Sequence, residues 1–169
     1  IISRINSNEK VKVDEMFSEV FQLAEKISGD TDGAFDITVA PMVNAWGFGF
    51  KTGNPPTRQT IDSLRAIVGF HTVSLQDGYV IKKNPKTMLD CSAIAKGYGT
   101  DVVARFLKKK GVQNFMVEIG GEIVVNGNSE KLQPWRIGIN KPTDDSLNTN
   151  QAIQEELSVS NNAVATSGN

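Results

Sequence analysis

Two-residue turn signals that contain glycine constrain the fold of this 169-residue chain more than any other feature of its sequence. Asp77-Gly78 and Gly120-Gly121 each stand between two short runs of apolar and β-branched residues. These residue types tolerate the positive φ angles of a tight turn, so each pair predicts a β-hairpin, and hairpins join antiparallel strands. Strands are predicted over 72–75, 79–82, 114–119, 122–125, 135–140, 157–159 and 163–165.

Two helices are predicted before the first hairpin from apolar residues at helical spacing. The first covers 14–28, with Asp14 as its N-cap and Gly29 just past its end. The second covers 61–68, with Thr60 as its N-cap. The first helix is expected to face the core through Val13, Met16, Phe17, Val20, Ala24 and Ile27.

A third helix is predicted over 93–110, with Ser92 as N-cap and Gly111 ending it. The segment 34–41 is predicted to be a strand that gives way to a loop or short helix at Pro41. Helices mixed with short hairpin connections indicate the α+β class with mainly antiparallel sheet, rather than a doubly wound parallel fold. The third helix is expected to have one apolar face, formed by Ile94, Tyr98, Val102, Phe106 and Leu107. Loops are expected over 51–56 and 143–150.

Composition and charge exclude several classes of protein. With 39% hydrophobic and 22% charged residues, the chain has enough apolar residues for a core, and 1–169 is expected to form one domain. A net charge of −1 argues against a nucleic-acid partner. The single Cys91 cannot form an internal disulfide, and the single His71 excludes a site built from several histidines of this chain.

The stretch from Leu89 to Gly99 contains the most informative candidate site. Two glycines lie inside its helical pattern, and each costs about 1 kcal/mol relative to alanine, which a closely approaching ligand or backbone would explain. The start of the helix, the positive charge of Lys96 and the carboxylate of Asp90 together suit a pyrophosphate with a divalent cation. The alternative is a capped helix with small residues for close packing. The pattern is neither a P-loop nor a dinucleotide fingerprint.

Two further candidates are weaker when each is taken alone. Glu118 and Glu122 bracket Gly120-Gly121, which would let a ligand touch backbone N–H groups, although a hairpin with exposed glutamates has the same pattern. Trp46-Gly47-Phe48 offers aromatic faces that can stack on a planar ring system, although a core aromatic cluster is the more common use of such residues.

In their order along the chain, these motifs resemble the FAD:protein FMN transferases, also called ApbE-type flavin transferases. The resemblance spans essentially the whole sequence and rests on five ordered blocks. The blocks are Phe35-Asp36-Ile37-Thr38-Val39-Ala40-Pro41 with Asn44-Ala45-Trp46-Gly47-Phe48-Gly49, Leu89-Asp90-x-Ser92-Ala93-Ile94-Ala95-Lys96-Gly97-Tyr98, Val117-Glu118-Ile119-Gly120-Gly121-Glu122, Pro134-Trp135-Arg136-Ile137-Gly138-Ile139 with Lys141-Pro142, and Ala163-Val164-Ala165-Thr166-Ser167-Gly168.

The resemblance implies an ApbE-like, T-fold-related architecture and a specific reaction. Enzymes of this family bind FAD and magnesium, cleave the FAD pyrophosphate and attach FMN to a threonine hydroxyl of a target protein through a phosphoester. Their targets include subunits of sodium-translocating NADH:quinone reductase and of Rnf complexes. They work in the periplasm or on the outer face of the cytoplasmic membrane, often as lipoproteins. Two alternatives remain: an FAD pyrophosphatase that releases FMN and AMP, and a non-catalytic FAD-binding or carrier domain.

The resemblance also implies roles for particular residues. Ala93 is expected to ligate magnesium through its backbone carbonyl, and no catalytic residue is assigned within the chain. The expected FAD contacts or near neighbours are Trp46, Gly47, Phe48, Asp90, Lys96, Glu118, Gly120 and Gly121.

Departures from the family pattern are mild within the chain. Cys91 stands where an apolar residue is common, and Ala40 stands where glycine is common. The chain is expected to be truncated at both ends, because the family's later histidine block and its aspartate and threonine metal ligands do not occur in it. The context of His71 does not match that histidine block, so the chain by itself is expected to be inactive.

Overall fold

The computed structural model describes residues 1–48, 55–141 and 153–167. They group into two compact units, Ile1–Ile94 and Ala95–Asn169. The expectation that 1–169 belongs to one catalytic domain stays a prediction. Some predicted features lie wholly or partly outside the described residues: the loops 51–56 and 143–150 and the motif residues Gly49, Pro142 and Gly168.

The first unit is mostly helical and contains one hairpin. Its helices are α1 (Ile2–Asn6), α2 (Glu15–Asp30), α3 (Ala40–Ala45) and α4 (Arg58–Arg65), and its strands are β1 (Val73–Gln76) and β2 (Tyr79–Lys82). The boundary between the units falls inside α5 (Ser92–Lys109). The second unit contains β3 (Phe115–Ile119), β4 (Glu122–Asn126), β5 (Trp135–Asn140), β6 (Ile153–Val159) and β7 (Asn162–Val164).

Every pairing between these strands is antiparallel, in the order β1-β2, β3-β4-β7 and β5-β6. Both predicted hairpins form with two-residue turns whose residues all have positive φ. The angles are 52° and 79° at Asp77 and Gly78, and 56° and 89° at Gly120 and Gly121. The predicted α+β class with mainly antiparallel sheet is therefore confirmed.

The start of α2 is as predicted, and its end is not. The Asp14 side chain accepts a hydrogen bond from the Phe17 N–H at 2.8 Å, as an N-cap does. The helix continues through Gly29 to Asp30, so the prediction that Gly29 follows its end is wrong. The chain reverses instead at Asp32 and Gly33, the first residues after the helix with positive φ.

The predicted strand over 34–41 does not form, and the predicted short helix at Pro41 does. Only one parallel bridge, between Val39 and Met88, is present in this segment. The Asp36 carboxylate accepts a hydrogen bond from the Thr38 N–H at 2.7 Å, which folds the backbone into a turn instead of an extended strand. Helix α3 then begins at Ala40, because proline is tolerated in the first turn of a helix.

Helix α4 begins earlier than its predicted N-cap. Thr57, rather than Thr60, is the N-cap, and its hydroxyl oxygen accepts a hydrogen bond from the Thr60 N–H at 3.2 Å. Both threonines suit an N-cap position by residue type, so the sequence by itself did not distinguish them.

Helix α5 confirms its predicted end and corrects its predicted face. Gly111, with φ of 81°, follows the helix and donates to the Lys108 carbonyl. The helix already includes Ser92, so Ser92 is its first residue rather than its N-cap. Its fully buried residues are Thr100 and Ala104, whereas Phe106 of the predicted apolar face is 56% exposed. Of the expected face, Phe106 is exposed, while Ile94, Tyr98, Val102 and Leu107 are half-buried. The fully buried positions are Thr100 and Ala104 instead.

Each unit has buried apolar residues of its own. Phe21, Ala24, Ile37, Val73 and Leu89 are buried in the first unit. In the second unit, the buried apolar residues are Ala104, Phe115, Val125 and Ile137. In the described part of the chain, no helix combines the length and the apolarity that a membrane crossing requires.

Candidate functional site

Asp90 is fixed by backbone and side-chain hydrogen bonds at the point where α5 begins. Its N–H donates to the Ile37 carbonyl at 2.7 Å, and its Oδ1 accepts from the Ser92 N–H at 2.8 Å. The preceding residue, Leu89, is buried, and its backbone N–H and C=O both bond the Asn6 side chain. The predicted carboxylate is therefore fixed just before α5, where it accepts a hydrogen bond from the first residue of the helix.

Ala93 is exposed in the first turn of α5. A carbonyl oxygen suits magnesium, but the ion prefers octahedral coordination that usually includes one or two carboxylates. Among the described residues, no group of three or more His, Cys, Asp or Glu side chains is placed to hold a metal ion. The described residues thus offer a single predicted ligand and do not by themselves make a magnesium site.

Trp46 and Phe48 are exposed, which contradicts the alternative of a core aromatic cluster. Trp46 is the C-cap of α3 and is 47% exposed, and Phe48 is 84% exposed. Gly47 between them has φ of 81°, a left-handed conformation that glycine adopts without strain. Aromatic side chains this exposed do not belong to a hydrophobic core, and their rings are accessible to a planar ligand.

In the second unit, the structure brings Lys96 together with the Gly120-Gly121 turn. The Lys96 Nζ donates to the Gly120 carbonyl at 2.9 Å and lies 3.4 Å from Glu122 Oε1. The Lys96 side chain is 50% exposed and that of Glu122 is 17% exposed. The ammonium is thus held in place by a dipole and a charge while it remains open to solvent.

Glycine is favoured at this turn chiefly by backbone angle, and the space beside both glycines is tight. A Cβ on Gly120 would lie 3.2 Å from Lys96 Cδ, and one on Gly121 would lie 3.3 Å from Thr166 Oγ1. Positive φ at both positions adds strain for any other residue. The double glycine therefore lets the hairpin approach Lys96 and Thr166 closely.

Two residues that were not assigned as site residues take part in this arrangement. Glu122 pairs with Lys96, while the predicted Glu118 is exposed on β3. Thr166 lies against Gly121 and belongs to the last of the sequence blocks. The sequence signal for Glu122 was its place beside the double glycine, and that for Thr166 was its position in a shared motif. The pairing of Glu122 with Lys96 had no local signal, because it depends on the hairpin folding back toward α5.

The two glycines of α5 differ in their surroundings. A Cβ on Gly99 would make an ordinary contact with Ile119 Cδ1 at 3.7 Å. A Cβ on Gly97 would meet no atom within 4 Å among the described residues. Protein packing in the described part of the chain thus does not explain Gly97, and the expectation of a closely approaching ligand remains.

The surroundings of Cys91 and His71 give no support for a catalytic role. Burial and, to a lesser degree, the neighbouring Asp90 charge raise the pKa of the Cys91 thiol from 9.0 to about 11. The thiol is therefore protonated near neutral pH and is a poor nucleophile. His71 is exposed in a single 3₁₀ turn and packs edge-on against Phe70.

Comparison with known proteins places these motifs in one family. The model of the ApbE family matches residues 1–169. A protein from Vibrio cholerae named FAD:protein FMN transferase is 40% identical over 172 residues, which is 99% of this chain and 50% of that protein. A protein of the same name from Escherichia coli is 30% identical over 176 residues, or 99% of this chain and 49% of that protein.

Solved structures agree with the sequence relatives. The flavin transferase ApbE from Vibrio cholerae matches with a TM-score of 0.84 and 40% identity, over 99% of this chain and 55% of that one. The apo form of the flavinyl transferase ApbE from Pseudomonas stutzeri matches with a TM-score of 0.85 and 32% identity, over 99% and 52%. This chain spans about half the length of the curated relatives it matches. Because the family model matches residues 1–169, the chain belongs to the ApbE family.

Proposed function

We propose that this chain takes part, within its complete polypeptide, in the transfer of FMN from FAD to a threonine hydroxyl of a target protein. The observation that carries the proposal is the match of the whole chain to the ApbE family and to relatives named FAD:protein FMN transferase. In the reaction, the threonine oxygen bonds to the FMN phosphorus as the bond to the AMP oxygen breaks. AMP leaves, and the threonine proton passes to solvent or to a base.

Lys96 supports this proposal through its charge and its fixed position. Negative charge shifts onto the AMP phosphate as the pyrophosphate bond breaks, and a positioned ammonium stabilises such charge without having to reorganise. The Gly120 carbonyl and Glu122 hold that ammonium at 2.9 and 3.4 Å while half of the side chain stays exposed. We therefore assign Lys96 to the pyrophosphate oxygens.

The aromatic and turn residues suit the rest of the dinucleotide. Trp46 and Phe48 present exposed rings on either side of Gly47, and rings of this kind stack on a flavin or adenine. Asp90 is assigned as a second FAD contact, and the other expected neighbours are Glu118, Gly120 and Gly121.

Magnesium, the target proteins and the location are part of the same proposal. Magnesium would neutralise pyrophosphate charge, with the Ala93 carbonyl as one of its ligands. The proposed targets are threonine-bearing flavoprotein subunits such as those of sodium-translocating NADH:quinone reductase or Rnf complexes. The proposed location is the periplasm or the outer face of the cytoplasmic membrane, with a lipid anchor on the full protein.

The decisive experiment combines the full-length protein with FAD, Mg²⁺ and a target domain that carries the acceptor threonine. We expect covalent flavin fluorescence on the target, release of AMP in equal amount, and no labelling of a Thr→Ala target. Chelation of Mg²⁺ by EDTA should stop the reaction, and added Mg²⁺ should restore it. Free FMN and AMP without labelled target would instead indicate a pyrophosphatase. Bound and intact FAD would indicate a carrier.

A further inference from the structure

A turn in the first unit contains a half-buried carboxylate, Asp36, and a buried hydroxyl, Thr38, neither of which has an assigned ligand role. Asp36 Oδ1 accepts hydrogen bonds from the N–H and the hydroxyl of Thr38, both at 2.7 Å. Thr38 is 0% exposed, and its Oγ1 accepts a hydrogen bond from the Gly69 N–H at 2.7 Å. Because the hydroxyl has one donor and uses it on Asp36, its orientation and that of the turn are both determined.

The residues on either side of Thr38 connect to Asp90 and to helix α3. The Ile37 carbonyl accepts the hydrogen bond from the Asp90 N–H at 2.7 Å. Val39 is the N-cap of α3, and the C-cap of that helix is Trp46. The segment 37–39 therefore accepts a backbone hydrogen bond from Asp90 and leads directly into the helix whose C-cap is Trp46.

Helix α3 depends on that segment for its direction. It is only six residues long, and no side chain caps its start. A helix this short has little stability of its own, because nucleation costs more than one turn of hydrogen bonds returns. The placement of α3, and with it that of Trp46, therefore depends on contacts outside the helix, including the turn at Asp36.

We propose that Asp36 and Thr38 are positioning residues that set the placement of Trp46 and Asp90 for the flavin substrate. The proposal rests on the proposed function where it concerns FAD. Neither residue has to touch FAD, because Thr38 is buried and acts through the backbone on both sides of it. The placement of Trp46 by this turn is a property of the ligand-free protein and is testable without FAD.

The first test measures FAD kinetics of the full-length protein in four variants. Thr38→Val removes the hydroxyl and keeps the shape of the side chain. Thr38→Ser keeps the hydroxyl and removes only the methyl group, and Asp36→Asn removes the charge. Thr87→Val is the matched control, since Thr87 is also 0% exposed and its hydroxyl donates to the Ile67 carbonyl at 2.8 Å. Each variant's melting temperature is recorded beside its kinetics.

We expect Thr38→Val to raise the KM for FAD about tenfold, the order expected when a buried hydrogen-bond partner is lost. Asp36→Asn should raise it less, because the amide oxygen can still accept both hydrogen bonds and only the charge is lost. Thr38→Ser should return it to within about twofold of wild type. Thr87→Val should lower the melting temperature and leave KM unchanged. Equal KM changes in Thr38→Val and Thr87→Val at equal loss of stability would overturn the proposal.

The second test is fluorine NMR of the full-length protein labelled with fluorotryptophan and free of FAD. The Trp46 resonance is assigned by its disappearance in Trp46→Phe. It should shift or broaden in Thr38→Val and Asp36→Asn but not in Thr38→Ser or Thr87→Val. An unchanged Trp46 resonance in both Thr38→Val and Asp36→Asn would overturn the proposal.

The two tests separate this inference from the proposed function. If the wild-type protein binds no FAD, the proposed function fails, and the NMR spectra still decide whether the turn positions Trp46. If Thr38→Val does not fold, Asp36→Asn replaces it in both measurements, with Thr38→Ser and Thr87→Val as the controls that should keep KM and the Trp46 resonance near wild type.

Discussion

At the scale of single residues, the Lys96 ammonium is held by one carbonyl and one carboxylate. Its ammonium meets the Gly120 carbonyl at 2.9 Å and Glu122 at 3.4 Å, and half of the side chain is exposed. Half-exposed ion pairs contribute little to stability because solvent screens them. The effect of this arrangement is therefore expected in ligand binding rather than in folding.

The first prediction concerns substitution of this lysine in the full-length protein. Lys96→Ala should weaken FAD binding about tenfold or more, because a charge-assisted contact to the pyrophosphate is lost. Its melting temperature should change little. Binding is measured by titration of flavin fluorescence, and Lys109→Ala, at the exposed end of α5, is the control that should bind as wild type does. Wild-type affinity in Lys96→Ala would contradict the assignment.

At the scale of elements, the two glycines of α5 are expected to affect helix stability alike and ligand binding differently. Glycine lowers the stability of a helix interior relative to alanine because it loses more backbone entropy on folding. Neither glycine has positive φ, and a Cβ is accommodated at both within the described residues. Only Gly97 is left without a packing explanation.

The second prediction compares alanine at these two positions. Gly97→Ala should stabilise the protein by about 0.5–1 kcal/mol through helix propensity, yet it should weaken FAD binding if the ligand approaches the backbone there. Gly99→Ala should give a similar gain with unchanged binding, since its Cβ would only touch Ile119 at 3.7 Å. Urea unfolding and FAD titration together measure both effects. Unchanged FAD affinity in Gly97→Ala would remove the ligand explanation for this glycine.

The third prediction concerns the start of α2. Asp14→Ala should cost about 1 kcal/mol of unfolding free energy, because the Phe17 N–H loses the side-chain acceptor now at 2.8 Å. Gln22→Ala, on the exposed face of the same helix, should change stability by less than about 0.5 kcal/mol. Equal effects of the two substitutions in urea unfolding would show that the cap contributes nothing measurable.

At the scale of the whole molecule, burial of one thiol links stability to pH. The pKa of Cys91 is raised from 9.0 to about 11, chiefly by burial and further by Asp90. A raised pKa means that the folded state holds the proton more tightly than the unfolded state does. The stabilisation is therefore complete below pH 9 and is lost as pH rises toward 11.

The fourth prediction follows from that sign. The unfolding free energy of the full-length protein should fall between pH 9 and 11, and Cys91→Ala should reduce the slope in that window. Urea unfolding at fixed ionic strength measures it. A slope that is the same in both proteins would show that Cys91 does not titrate differently on unfolding.

Features that depend on neighbouring residues were predictable from the sequence. The hairpin at Asp77-Gly78, the N-cap at Asp14 and the end of α5 at Gly111 each follow from side-chain chemistry within a few positions of the chain. Choices between chemically similar candidates, such as Thr57 and Thr60, were not predictable, because both satisfy the same local rule for an N-cap.

By itself, the sequence determined the α+β class, the antiparallel hairpins and the ordered motifs of the family, because these depend on local backbone preferences and on residue identity. The tertiary structure alone decided that Glu122 is the partner of Lys96, that Trp46 and Phe48 are exposed, and that Thr100 and Ala104 form the buried face of α5. The bonds from Lys96 to Gly120 and from Gly69 to Thr38 join residues 24 and 31 positions apart. Contacts at that separation arise only when the chain packs, so no local pattern encodes them.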